Sequence, residues 1–188
     1  SSRIKDGSSW SAATTGSFAI MELYINEFLA SNSTGITDES GAYEDWIEFY
    51  NAGILPVDIG GMYITDDLTN LTKWQIPNTA PLTTTIPAGE FIYVWADNQP
   101  EEGELHVNIK LGAGGEDIGI SIDSDAGTIN IDALTFGPQT SDVSTGRYTD
   151  GINNFITFEN PTPGAANLLG LKYRNQLTIT FKDDYTNR

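Results

Sequence analysis

The sequence predicts an all-β fold, an antiparallel β-sandwich, on three observations. Strand-like segments recur every 8–15 residues, turn residues separate them, and no amphipathic helical period appears. The 188 residues include 19 glycines and 8 prolines among many Thr, Ile, Tyr and Phe, as short strands joined by tight turns require. At 39% hydrophobic residues the chain can bury the core of one domain of roughly 150 residues with flanking segments.

The elements follow in order. Residues 23–29 alternate Leu23, Ile25, Glu27 and Leu29 against Tyr24, Asn26 and Phe28, a strand apolar on both faces. A polar loop runs from Ser31 to Tyr43, and Asp45 to Tyr50 forms the next strand, ended by the turn Asn51-Ala52-Gly53. Val57 to Thr65 is a strand broken at Gly60-Gly61, where a bulge or a close backbone approach is expected. Lys73 to Pro77 is short and stopped by proline. Ile86 to Gly89 is a turn, and Glu90 to Trp95 is the most apolar strand. His106, Asn108 and Lys110 alternate outward against Val107, Ile109 and Leu111. Gly112 to Gly115 is a turn, and Ile118–Ile122 pairs with Thr128–Phe136 across Asp123 to Gly127.

Charge and composition exclude several classes. Residues 21–168 carry 23 acidic groups against Lys73, Lys110 and Arg147, a local balance of −20 within a net −17. Such a field repels phosphate backbones and anionic headgroups, so no nucleic acid and no direct membrane insertion are expected. It suits extracellular solubility and divalent cations. The absence of cysteine removes disulfides, thiolate metal sites and thiol nucleophiles together. No apolar run is long enough to span a bilayer, and any signal peptide is expected to be removed or to lie upstream.

Both ends differ from the centre. Arg3 to Trp10 and Arg147 to Phe155 share a pattern: Arg, two residues, Asp-Gly, a polar gap, then an aromatic. Residues 1–20 are therefore a flanking segment, with the tail of a preceding repeat as one reading. Residues 21–168 form the sandwich, and 169–188 a linker or the start of a following domain.

Segments within 22–167 resemble a known family in order and spacing. Ile25-Asn26-Glu27-Phe28, Asp45 to Asn51, Val57 to Asp66, Lys73 to Pro77, Ile86 to Gly89 and Tyr93 to Ala96 look like the strands of a bacterial lamin tail domain. Leu111 to Glu116, Gly146-Arg147-Tyr148 and Pro161 to Asn167 continue the likeness. The resemblance implies an immunoglobulin-like β-sandwich. It also implies a place in exported, multidomain bacterial proteins, beside nuclease, phosphohydrolase or kinase-type domains, with no catalytic residues of its own. Nuclear lamin tails contact nucleic acid and chromatin partners, a role this acidic chain departs from.

Candidate chemistry is sparse. A nucleophilic triad needs a base, and the single histidine, His106, is expected on the solvent face with no Gly-x-Ser-x-Gly elbow in the chain. Gly112 to Gly115 lacks the lysine and following helix of a phosphate loop. A glycosidase-type carboxylate pair carries little force where 23 acids crowd one segment. Glu27 shares a face with aliphatic neighbours, so burial demands hydrogen-bond donors or a cation, and neighbouring loop N–H groups are the simpler answer. No cofactor is required, but calcium has candidate ligands in Asp38, Glu39, Glu44, Asp45, Asp66 and Asp67 at neighbouring loop ends, against plain solvated loops. Asp123 to Gly127 lacks the full ligand set of a calcium-binding hand.

The resulting expectation is a non-catalytic accessory interaction or attachment module, extracellular or on a bacterial cell surface. Its partners would be neighbouring domains of the same chain, a surface protein or a polysaccharide. The alternative is a carbohydrate-binding module exposing Trp10, Trp46, Trp74 or Trp95, with Trp74 the most exposed; a hydrolase ranks below both. Core packing is the competing reading for Trp46 and Trp95.

Overall fold

A computed structural model describes residues 21–168 and two short flanking strands, β1 (Lys5–Asp6) and β2 (Ser9–Trp10), which pair antiparallel. The remainder of 1–20 and all of 169–188, including half of the repeat-like segment 3–10, lie outside the described residues.

Eleven further strands follow: β3 (Leu23–Leu29), β4 (Trp46–Asn51), β5 (Val57–Asp58), β6 (Tyr63–Thr65), β7 (Trp74–Gln75), β8 (Thr85–Ile86), β9 (Phe91–Trp95), β10 (Asp117–Ser124), β11 (Gly127–Thr135), β12 (Ser144–Arg147) and β13 (Phe155–Phe158). A single helical turn, α1 (Pro81–Thr84), and a 3-10 turn at Pro100–Glu102 are the helices among the described residues. The strands form a five-stranded sheet in the order β13-β12-β3-β4-β9 and a four-stranded sheet in the order β11-β10-β6-β7, with β5 and β8 paired separately. All strand pairs are antiparallel, and the predicted sandwich is what the chain forms.

The core lies between the two large sheets. Leu23, Ile25 and Phe28 of β3, Ile47 and Phe49 of β4 and Val94 of β9 meet Ile64, Ile118 and Ile120 from the opposing sheet. Burying each of these side chains contributes about 1.5–3 kcal/mol. Val107, Ile109 and Leu111 also point into this core, as their alternation predicts, but 106–111 joins the sheet only through isolated bridges at His106 and Lys110. The break at Gly60-Gly61 separates β5 from β6, which pair with different partners.

Strand β3 carries the feature that shapes everything above it. Ile25 pairs with Phe49 and Glu27 with Glu48, so Asn26 is an extra, bulged residue. The bulge keeps Leu23, Ile25 and Phe28 on the core side and turns Glu27 and Leu29 outward. Simple alternation placed Glu27 beside Leu23 and Ile25; the inserted residue corrects that. At the same point Asp132 of β11 accepts the Ile25 N–H at 2.8 Å, and Arg147 of β12 donates through Nε to the Ile25 carbonyl at 2.8 Å. Arg147 Nη2 also contacts both Asp132 oxygens, at 2.9 and 3.1 Å, and its guanidinium lies over Phe155 and Tyr24. One ion pair thus joins the two sheets at the bulge.

Candidate functional site

On the outer face of the five-stranded sheet, Glu27 and Glu48 are direct cross-strand partners and both are fully buried. Residues 159–168 fold back over them as a strap. Thr162 donates its backbone N–H to both Glu27 oxygens at 3.1–3.2 Å, and Thr162 Oγ1 lies 2.8 Å from Glu27 Oε2. Ser144 donates its hydroxyl to the other Glu27 oxygen. Gly164 N–H donates to Glu48 Oε2 at 2.6 Å, and Asn26 Nδ2 donates to Glu48 Oε1 at 3.0 Å. Asn167 Nδ2 donates to the carbonyls of Arg147 and Asn26 at 2.8 and 3.2 Å. The expected tie between Glu27 and a loop N–H is therefore present.

Close approach explains the local sequence. A Cβ at Gly146, which pairs with Glu27, would stand 2.8 Å from Asn167 Nδ2 and 2.9 Å from the Asn26 carbonyl. Only glycine leaves room for the strap to reach the bulge.

Donors from three elements converge on the two carboxyls. Asn167 spends both amide hydrogens on carbonyls, so its Oδ1 faces Thr162 Oγ1 at 2.9 Å as an acceptor. Thr162 has one hydroxyl hydrogen, which lies between Glu27 Oε2 at 2.8 Å and Asn167 Oδ1 at 2.9 Å, so the two oxygens share a single donor. Burial holds the Glu27 carboxyl above its ordinary range, against hydrogen bonds from Ser144 and Thr162. Glu48 is pushed up to about 8, by burial first, opposed by the Asn26 hydrogen bond and reinforced by the neighbouring Glu27. The two carboxyls, both held above their ordinary range by burial beneath the strap, act as structural acids.

A second polar cluster sits at the end of β9. His106 is 3% exposed, not on the solvent face as its alternation predicts. Its Nδ1 hydrogen-bonds the Asp97 carboxylate, and its Nε2 lies 3.1 Å from Glu39 Oε2. Trp95 bridges to it in the backbone and lies beside its ring. Burial opposes the charged imidazole, but the Asp97 and Glu39 carboxylates outweigh it, so its pKa lies above the ordinary histidine value.

A model of the Lamin Tail Domain family matches residues 17–138. The chain belongs to that family. No curated protein and no solved structure gives a significant match. Lamin tail domains are non-catalytic immunoglobulin-like domains, in keeping with the sandwich described above. In this lamin tail domain β12, β13 and the strap lie beyond the matched span, yet β12 pairs directly with β3.

The candidate calcium ligands are dispersed over separate interactions in this lamin tail domain. Asp66 pairs with Lys73, and Asp67 closes a local turn onto Thr69. Asp45 accepts the Asn32 N–H at 3.0 Å, and burial, first among its causes, pushes its carboxyl up to about 6. Asp38 holds the 38–42 turn through Oδ1, while its buried Oδ2 has no hydrogen-bond partner. Glu39 faces His106. Burial, then the nearby Asp97, Asp38 and Glu102, hold Glu44 above its usual range against Lys110.

Trp46 and Trp95 are buried in a small cluster with Leu29 on the outer sheet face, as core packing predicts. Trp74 is half-buried against the main core with its indole Nε1 covered, so it is less exposed than its short polar-flanked strand suggests. The side chain of Trp10 lies outside the described residues. Sequence reasoning missed Glu48, Asn167 and Asp97. Glu48 shares the outer sheet face with Trp46, opposite the core residues Ile47 and Phe49, and nothing local in the sequence announces that a strap covers it.

Proposed function

We propose that this lamin tail domain is a non-catalytic attachment or interaction module of a larger exported or cell-surface protein. The observation that carries this reading is the buried Glu27–Glu48 pair, whose oxygens are taken up by Ser144, Asn26 and the strap. Glu27 and Glu48 are spent on the fold, and general acid–base work requires groups within reach of a substrate. The dense negative charge supports a role in aqueous surroundings, away from nucleic acid and lipid. The loop after β4 holds Ile54 at 93% and Leu55 at 60% exposure, apolar groups that a neighbouring domain, surface protein or polysaccharide-bearing partner can cover.

The test deletes residues 21–168 from the protein that carries them. The deleted form is expected to lose retention at the cell surface while any enzymatic activity of its other domains persists. Unchanged retention, or loss of chemistry with retention intact, overturns the reading.

A further inference from the structure

We propose that Asp97, Glu102 and His106 form a binding site for one divalent transition-metal ion of the zinc type. The donor atoms of these three side chains lie within 4.8 Å of one another, with Glu102 Oε2 3.9 Å from His106 Nδ1. A tetrahedral zinc ion with bonds of about 2.0–2.1 Å sets its ligand atoms roughly 3.3 Å apart. Asp97 Oδ2, already touching Nδ1, has to retreat slightly, and Glu102 has to approach. Glu102 stands on the 3-10 turn with its side chain 35% exposed, so it is free to swing inward, whereas burial confines Asp97 and His106 to small adjustments.

The surroundings are arranged as metal ligands need. Asp97 Oδ1 accepts the Gln99 N–H at 2.9 Å, which leaves Oδ2 as a single aimed oxygen. Glu39 lies 3.1 Å from His106 Nε2, so when Nδ1 carries the metal the Nε2 proton has an acceptor that fixes tautomer and ring orientation. Both buried ligands thus have their second polar atom engaged by groups outside the three ligands. Imidazole nitrogen with carboxylate oxygen favours zinc and its first-row neighbours over calcium, which takes oxygen ligands. Exposed Glu102 leaves one side open to solvent, so water completes the coordination. Binding exchanges the proton on Nδ1 for the metal, and that proton leaves to buffer. Asp38 and Glu44 add negative field at the same end of the domain, since Glu44 senses Asp97, Asp38 and Glu102 together.

His106 is the only histidine, so its imidazole NMR signals are identifiable without assignment. The full chain, prepared without a polyhistidine tag and stripped with EDTA, is titrated with zinc chloride and, in parallel, with cobalt(II), calcium and magnesium chlorides. One equivalent of zinc is expected to shift the imidazole signals, and cobalt to give a visible ligand-field band; calcium and magnesium should do neither. Glu39→Gln should weaken zinc binding about 10–100-fold. Glu102→Gln, at an exposed position that does not endanger folding, should weaken it at least as much, and His106→Gln should abolish it. Unmoved imidazole signals at one equivalent of zinc, or undiminished zinc affinity in Glu102→Gln and His106→Gln, would overturn the site and leave His106 a histidine clamped between two carboxylates.

Discussion

Glu27 and Glu48 stand directly opposite each other across β3 and β4, and the strap at 159–168 seals both from water. Two adjacent carboxyls in such a place persist only if at least one keeps its proton, because unpaired charge is too costly to bury.

Stability should therefore fall as pH rises from about 5 to 8. The Glu48 carboxyl has an ordinary value of 4.5 when unfolded and about 8 when folded, so between those limits the folded state holds a proton that the unfolded state releases. The slope of unfolding free energy is negative there, at most about 1.4 kcal/mol per pH unit for one retained proton. Asp45, raised to about 6, adds the same sign over the lower part of the window. Urea unfolding at pH 5, 6, 7 and 8 measures the slope, and Glu48→Gln should flatten it above pH 6. A rise in stability over this range would contradict a proton retained on Glu48.

The strap should be part of the cooperative unit. Asn167→Ala leaves the carbonyls of Asn26 and Arg147 without their buried donor, and a loss of roughly 1–3 kcal/mol is expected. Removing residues 1–20 and 169–188 should preserve a single sharp thermal transition, whereas ending the chain at Phe158 should lower and broaden it. Equal melting behaviour for the two truncations would show that the strap is decoration.

Arg147 should tolerate no replacement. Its guanidinium serves Asp132 on the opposite sheet and the Ile25 carbonyl at the bulge together. Arg147→Ala is expected to cost about 3–5 kcal/mol, since it strands a largely buried carboxylate, and Arg147→Lys should recover only part because a point charge cannot replace the fork. Denaturant midpoints of the two variants decide this.

Much of the fold was legible in the sequence because short antiparallel strands announce themselves by alternation and turns. β3, β4, β9 and the β10–β11 hairpin fall where those signals place them. What alternation cannot show is a bulge or a roof. Asn26 shifts Glu27 to the other face, and Glu39 and Glu102 gather over His106 on a side that Asn108 and Lys110 leave open to solvent. Both depend on contacts between residues far apart in the chain. The strap motif Pro161 to Asn167 was visible as a family likeness, but its partners were not.

No turnover is expected on polysaccharide, phosphodiester, ester or peptide substrates above a heat-treated control. Activity that disappeared in Glu27→Gln or Glu48→Gln would give the pair a chemical task in place of a structural one.

The most direct measurement is a carboxyl carbon-13 NMR titration of Glu27 and Glu48 from pH 4 to 9. Glu48 is expected to titrate near pH 8 and Glu27 above the ordinary glutamate range, both within the folded protein. Ordinary titration of both near 4.5 would show two ionised, water-accessible carboxylates, and the structural-acid account would fall with them.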